Sequence, residues 1–295
     1  MTAIVQPIAA PSWLRTAWRG IGSLFRRAPL SAFWGVIAAL IVTIAVAAPV
    51  IAPYPPLKAD FRAMQKPPSE KHWFGTDQVG RDVLSRVIYG ARISPLVAVI
   101  VLVIACVVGI PLGIAAGYFG GWVDELIMRV TDVFLAFPSL LLALALAAVL
   151  PPSLTSLTIA IAVTWWPWYT RLIRGQAASV AGRPYIDSCR ALGVPAWRII
   201  TRHVLPNSVT PLIVQVSLDV GGVILTASAL SFLGLGAQDP TPDWGLMVAE
   251  GQTYFTPDWW VVTFPGTAIL VTAFAFNLLG DGLRDLLDPK RSLLP

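Results

Sequence analysis

Charge is scarce in this sequence. Only 13% of its 295 residues are Asp, Glu, Lys or Arg, about half the share of an ordinary soluble domain. Histidine occurs twice, at His72 and His203, and the spacing excludes an H-E-x-x-H zinc-protease pair. No G-x-x-x-x-G-K loop occurs, so any ATP that drives this protein must be bound by another chain. The two cysteines, Cys106 in an apolar run and Cys189 in a polar one, give neither a disulfide framework nor metal-ligand spacing. The chain is therefore expected to bind no metal and no cofactor of its own.

Apolar sequence takes the place of charge. Hydrophobic residues make up 56% of the chain, and the mean hydropathy is +0.71. The fold class is an all-α polytopic membrane protein. Six runs, 30–53, 95–119, 127–150, 154–172, 209–235 and 259–279, have about the length needed to cross some 30 Å of hydrocarbon. A cleaved signal peptide competes for the first run, since Ala45-Val46-Ala47 fits a small-x-small site, but the long leader and over-long apolar stretch favour a retained span. Gly109, Gly113 and Gly117 recur every fourth residue in the second run and offer a smooth face for close helix approach.

The net charge of +5 does not point to nucleic acid, because the basic residues are segregated by topology rather than gathered in a patch. Arg171, Arg174, Arg183, Arg190, Arg198 and Arg202 face Asp187 alone between the fourth and fifth runs. That is a strong positive-inside signal. The stretch 238–258 carries Asp239, Asp243, Glu250 and Asp258 and no base, so it lies outside. Trp165, Trp166 and Trp168 sit near the inner end of the fourth run as interfacial anchors. Six spans then put both termini in the cytoplasm. The chain divides into an N-terminal segment 1–29, the first span 30–53, an external segment 54–94, a five-helix core 95–282 and a tail 283–295. In the N-terminal segment Trp13, Ala17, Ile21 and Phe25 suggest an amphipathic helix on the membrane surface; a disordered basic flank fits equally well. In the external segment Gly75, Asp77 and Gly80 read as a turn, and Asp82, Val83, Arg86 and Val87 begin a helix. His72 and Asp77 lack a third or fourth ligand at suitable spacing and read as part of that turn rather than as a metal site.

The polar island 184–206 organises the rest. Pro184 can open a short helix, with Tyr185, Cys189 and Leu192 on one face. Gly193 suits the left-handed residue that ends it. Pro195 reopens the helix, with Trp197, Ile200 and Val204 on one face, and Pro206 marks the exit. Helices this short are marginal alone, so the flanking spans or a partner must hold them. The island resembles the EAA loop of ABC importer permeases: Asp187-Ser188-Cys189 stand where that family has Glu-Ala-Ala, Gly193 and Leu205-Pro206 match, and His203 takes an isoleucine slot. The stretches HWFGTDQVGRDVLSRVIYGARIS, LSFLGLGAQDPTPDWG and GDGLRDLLDP are similar to signatures of the peptide and nickel branch of these permeases.

The resemblance implies a type I importer fold with cytoplasmic coupling helices, in a bacterial inner membrane. It implies a homologous permease as heterodimer partner, two ABC ATPase subunits that carry ATP and Mg, and an extracytoplasmic substrate-binding protein. It assigns ATPase coupling to Tyr185, Asp187, Ser188, Cys189, Arg190, Ala191, Gly193, Leu205 and Pro206. The implied cargo is a di- or oligopeptide, with a nickel chelate, glutathione or another small solute as alternatives.

Two other classes compete. A secondary transporter or channel would need paired charges deep in several spans, whereas Asp219 is the one mid-span acid, with Asp132 near an inner end. An intramembrane serine protease would need a histidine within a span, and neither histidine is in one. Asp219 is too costly to face lipid. A structural role, accepting hydrogen bonds from a neighbouring helix, is the stronger reading. A place on the translocation path, with Gln215 one turn earlier, is the alternative.

Overall fold

The computed structural model describes residues 29–254 and 256–287. The proposed surface helix around Trp13 and most of the tail lie outside them. Almost every element is helical: α1 (Pro29–Ile51), α2 (Val83–Phe119), α3 (Gly121–Leu135), α4 (Ser139–Val149), α5 (Leu154–Ala181), α6 (Pro184–Ala191), α7 (Ala196–Ile199), α8 (Leu205–Phe232), α9 (Trp244–Gly251) and α10 (Trp260–Leu287). The β structure among the described residues is one isolated bridge, Thr76 with Asp82.

Among the described residues α1, α2, α8 and α10 are long and apolar enough to cross a membrane, and α3 with α4, bent by 84°, adds a fifth where the pair counts as one span. The expected third span 127–150 is therefore not one straight helix. Pro138 explains the break, since it donates no N–H and drives the residue before it out of helical geometry. The residues between the expected second and third spans are helix as well, because α3 begins at Gly121. The expected fourth span lies within α5, which has 28 residues but is not among the described helices apolar enough to cross, because Trp165, Trp166, Trp168, Tyr169 and Arg171 lower its mean hydropathy; four or five of the six expected spans are found. The second span also differs from expectation. It starts at Val83 and runs unbroken through Pro95 and Pro111 for 37 residues, so residue 95 is no boundary. Asp82 caps it by accepting hydrogen bonds from the Ser85 N–H (2.8 Å) and hydroxyl (2.7 Å).

The most extensive helix pairing is α2 with α5. A Cβ on Gly109, Gly113 or Gly117 would come within 2.8, 2.6 and 2.5 Å of the carbonyl oxygens of Trp166, Thr170 and Arg174 respectively. The glycine face thus lies against three successive turns of the α5 backbone, an approach that only glycine permits. Lipid tails are as apolar as leucine, so helices in a membrane associate through close packing of this kind rather than through hydrophobic burial. Helix α8 packs against both α5 and α10, and α1 lies outermost against α10 and α2. On α1 only Ala32, Ala38 and Ala48 are buried, which fits a helix facing lipid on most sides.

The N-terminal end of α2 is joined to α9 by an ionic cluster. Arg81 Nε lies 2.6 Å from Asp77 Oδ2, and Arg86 Nη1 lies 2.9 Å from the same oxygen. Both arginines also reach Glu250 on α9, at 3.3 and 3.1 Å, and Arg81 pairs with Asp239. Asp77, Arg81 and Arg86 are all at most 3% exposed. Burial would raise the Asp239 carboxyl, yet the hydrogen bond from Arg81 holds it below the usual carboxylate range. Burial raises Glu250 despite the two arginines. Around the cluster the Trp244 indole donates to the Val87 carbonyl at 2.9 Å, the Trp260 indole donates to the Thr76 carbonyl at 3.1 Å, and Phe74 stacks on Phe264. Removing one member of a buried ion pair strands the other and costs about 3–5 kcal/mol. Arg86→Ala is therefore expected to lower the thermal unfolding temperature and the membrane-inserted level of the chain, read by a fluorescent fusion on heating; unchanged unfolding would show that the cluster contributes no net stability.

Candidate functional site: the polar island and a membrane pocket

The polar island forms two short helices joined by a tight turn. Arg183 takes an extended conformation and Pro184 begins α6 at its first turn. Gly193 has φ +72°. The Val194 N–H donates to the Cys189 carbonyl (3.1 Å) and the Gly193 N–H to the Arg190 carbonyl (3.0 Å). This pair of bonds is a Schellman ending, which satisfies carbonyls that the finished helix leaves open. No atom outside the chain neighbours lies within 4 Å of a Cβ built on Gly193, so the backbone angle, not crowding, calls for glycine.

The buried faces differ from those the spacing predicts. Ile186 is fully buried, whereas Tyr185 is 40% and Leu192 82% exposed. In the second helix Ile199 and Val204 are buried, while Trp197 is 63% exposed. Register explains the second case: Ile200–Val204 is a π-turn, which rotates the residues that follow it relative to an α-helical count. Pro206 supplies its physical cause, because a proline has no N–H to give to the carbonyl four residues earlier and its ring crowds that carbonyl. Pro206 therefore does not end the helix. Residues 196–232 run as one rod through α7, the π-turn and α8.

Every residue assigned to coupling lies on or beside this rod and its preceding helix. Tyr185, Asp187, Ser188, Arg190, Ala191, Gly193 and Pro206 are exposed, and Cys189 and Leu205 are half-buried. Arg190 lies 2.9 Å from Asp187 and sits over the Tyr118 ring at 5.1 Å, near the inner end of α2. Tyr185 packs edge-on to His203. The island thus presents an apolar pair, Leu192 and Trp197, within a polar rim.

The other predicted pair also meets. Gln215 and Asp219, one turn apart on α8, line a cavity of about 480 Å³ with Trp165, Trp168, Arg171 and Leu172 of α5. The Tyr169 hydroxyl donates to Asp219 Oδ2 at 2.7 Å, and the Gln215 amide donates to Oδ1 at 2.9 Å. Asp219 therefore bonds a neighbouring helix and also faces a cavity. Residue spacing alone did not reveal Tyr169, which is fully buried on α5. Asp132, the other acid noted in a span, pairs with Arg171. His72 and Asp77 do not converge: His72 Nδ1 lies 2.9 Å from Asp82, and Asp77 faces the two arginines.

The external cluster escaped the sequence reading altogether. Its signal was present, since Asp239 and Glu250 lie in a segment with no base and Arg81 and Arg86 lie in the other long external segment. Opposite charges kept on one side of a membrane can find each other.

Apolar spans, an exposed helical pair on the arginine-rich side and a polar pocket between two spans define a membrane transport subunit. The arrangement is that of a type I ABC importer permease: an inward-facing structure of the MetNI methionine ABC transporter matches with a TM-score of 0.54, over 68% of this chain and 96% of that one, at 14% identity. Such an identity speaks to fold alone. The model for "Binding-protein-dependent transport system inner membrane component" matches residues 109–293, and the chain belongs to that family. Among its relatives are the "Probable D,D-dipeptide transport system permease protein DdpC" of Escherichia coli strain K12, 47% identical over 90% of this chain and 90% of that one. Another is the "Glutathione transport system permease protein GsiD" of Escherichia coli O6:K15:H31 strain 536, 42% identical over 96% and 94%. The protein is a multi-pass inner-membrane permease of an ABC importer, a transport subunit and not an enzyme, and it works with ATPase and substrate-binding partners.

Replacing Gly193 with a β-branched residue forces it into a left-handed conformation that costs about 1–3 kcal/mol. Gly193→Val is expected to leave the spans folded and the chain in the membrane while uptake falls at least several-fold. Uptake at the wild-type rate would show that the turn geometry does not matter to coupling.

Proposed function

We propose that the chain forms one half of the membrane path of a peptide importer, paired with a homologous permease and driven by two ATPase subunits that bind ATP and Mg. Tyr185, Asp187, Ser188, Cys189, Arg190, Ala191, Gly193, Leu205 and Pro206 form the surface that couples to the ATPase. The observation that carries this reading is the exposed pair Leu192, at the end of α6, and Trp197, at the start of a continuous helix that leads to the Asp219 pocket. A large aromatic and a leucine left in solvent within a polar rim have the make-up of an interface anchor. From residue 197 to residue 219 the rod spans about 33 Å at 1.5 Å per residue, so the tip and the pocket share one continuous run of helix.

The cargo follows from the relatives together with the pocket. One relative is named for D,D-dipeptides and another for glutathione, and both molecules are short peptides with a free α-amino group and free carboxylates. A di- or oligopeptide is the cargo we propose, and glutathione is the second reading that the 42% relative favours. The external binding protein delivers it, and both termini lie in the cytoplasm.

Charge at the tip should abolish docking without touching the spans. Leu192→Asp combined with Trp197→Asp is expected to lower uptake at least tenfold and to lose the ATPase subunits on affinity purification, with the permease pair still recovered. Retention of the ATPase by this variant would show that the island is not its docking surface. Topology can be read with an impermeant thiol reagent in a chain carrying Cys106→Ser and Cys189→Ser. Glu70→Cys, exposed on the external segment, should label from outside, and Ser188→Cys only after the membrane is opened. The reverse pattern would overturn the orientation.

A further inference from the structure

Asp219 combines three properties in one place. It is a carboxylate in the middle of a span, it lines a cavity, and both of its hydrogen-bond donors are neutral. No cation pairs with it among the described residues. An acid in a membrane ordinarily finds a basic partner. Here one oxygen is held by Tyr169 and the other by Gln215, which fixes the direction of the carboxylate and leaves its charge uncompensated. Ionised, it has about four acceptor positions, and two are filled.

The rest of the cavity carries complementary chemistry. Trp165 and Trp168 supply aromatic faces, which attract ammonium groups and cover apolar side chains. Arg171 lies on the same helix, and its pairing with Asp132 is half exposed on both sides. Exposed ion pairs are weak, so a ligand carboxylate can take that guanidinium at small cost. A volume of about 480 Å³ falls within the range of small-molecule sites.

We propose that this pocket between α5 and α8 recognises the free α-ammonium group of a short zwitterionic peptide, with Asp219 accepting the ammonium, Arg171 meeting a carboxylate, and Trp165 and Trp168 walling the space between. The site reads charge placement and not the configuration at the α-carbon, which suits both a D,D-dipeptide and glutathione. This rests on the peptide-import reading above and deepens it to one receptor group.

The test uses the complete complex, both permeases with their ATPases, in lipid nanodiscs. The probe is radiolabelled alanyl-alanine, and the competitor is propionyl-alanine, which lacks only the ammonium. Asp219→Asn keeps the shape and removes the charge. Tyr169→Phe does the opposite: it removes the bond between α5 and α8 and leaves the charge. Expected are displacement of the label by unlabelled dipeptide but not by propionyl-alanine, affinity weakened roughly 10- to 100-fold in Asp219→Asn, and affinity within a few-fold of wild type in Tyr169→Phe. The proposal is overturned if the wild-type complex binds no dipeptide, if propionyl-alanine competes equally, if Asp219→Asn binds normally, or if the two variants lose affinity together as a purely structural bond requires. ATP hydrolysis stimulated by the peptide-loaded binding protein is measured on the same preparation. Its absence from the wild-type complex sinks the import reading and the pocket with it, whereas its presence alongside normal Asp219→Asn affinity sinks the pocket alone.

Discussion

The close approach of α2 to α5 is the contact on which the remainder depends. Gly109, Gly113 and Gly117 let one backbone lie against the carbonyls of the other, in a solvent where burial of side chains brings helices no closer. The same contact fixes Tyr169, whose Cβ would lie 2.9 Å from a Cβ on Gly109. Tyr169 is then held with its hydroxyl toward α8, where it meets Asp219. Helix packing through glycine therefore sets the geometry of a polar group one helix further on.

Charge is handled in opposite ways at the two faces. At the N-terminal end of α2, Arg81 and Arg86 are withdrawn from solvent and compensated by three carboxylates. Such a cluster contributes little net stability compared with apolar packing, yet it is specific, because any other register would strand a buried charge. It ties the N-terminal end of α2 to α9 across more than 160 residues of chain. On the island Arg183, Arg190, Arg198 and Arg202 are exposed, and Arg190 with Asp187 is a half-exposed pair of small worth. The charges at one end of the bundle are therefore locked to one another, and those of the island are left open to solvent.

The sequence displayed the membrane class, the island and its turn because each depends on local composition. Runs of apolar residues, a one-sided excess of arginine and a glycine after a short helix need no knowledge of the fold. Pro138 was equally visible, but an apolar run on both sides hid its effect, since hydropathy does not register an 84° bend. Pro206 misled in the other direction. It marks a helix end in an isolated reading, whereas here a π-turn absorbs its missing N–H and the rod continues. The external cluster and the Tyr169–Asp219 bond join residues 164 and 50 positions apart respectively, and no periodicity carries such separations.

That the Tyr169–Asp219 bond is both a tie between helices and the wall of a pocket bears on how such a subunit can release what it holds. A ligand shifts a conformational equilibrium only through unequal affinity for the two states. The carboxylate is aimed by one donor on α5 and one on α8, so its direction depends on the relative position of the two helices. The island is continuous with α8 and separated from α5 only by the turn at Gly182 and Arg183. A displacement of the rod along its axis would carry Gln215 with Asp219 and leave Tyr169 behind. The acid would keep its charge and lose the donor that orients it, and Arg171, fixed to α5, would no longer stand at the same distance from it. Were the pocket the binding site proposed above, the changed distance between Asp219 and Arg171 would make its affinity unequal in the two arrangements.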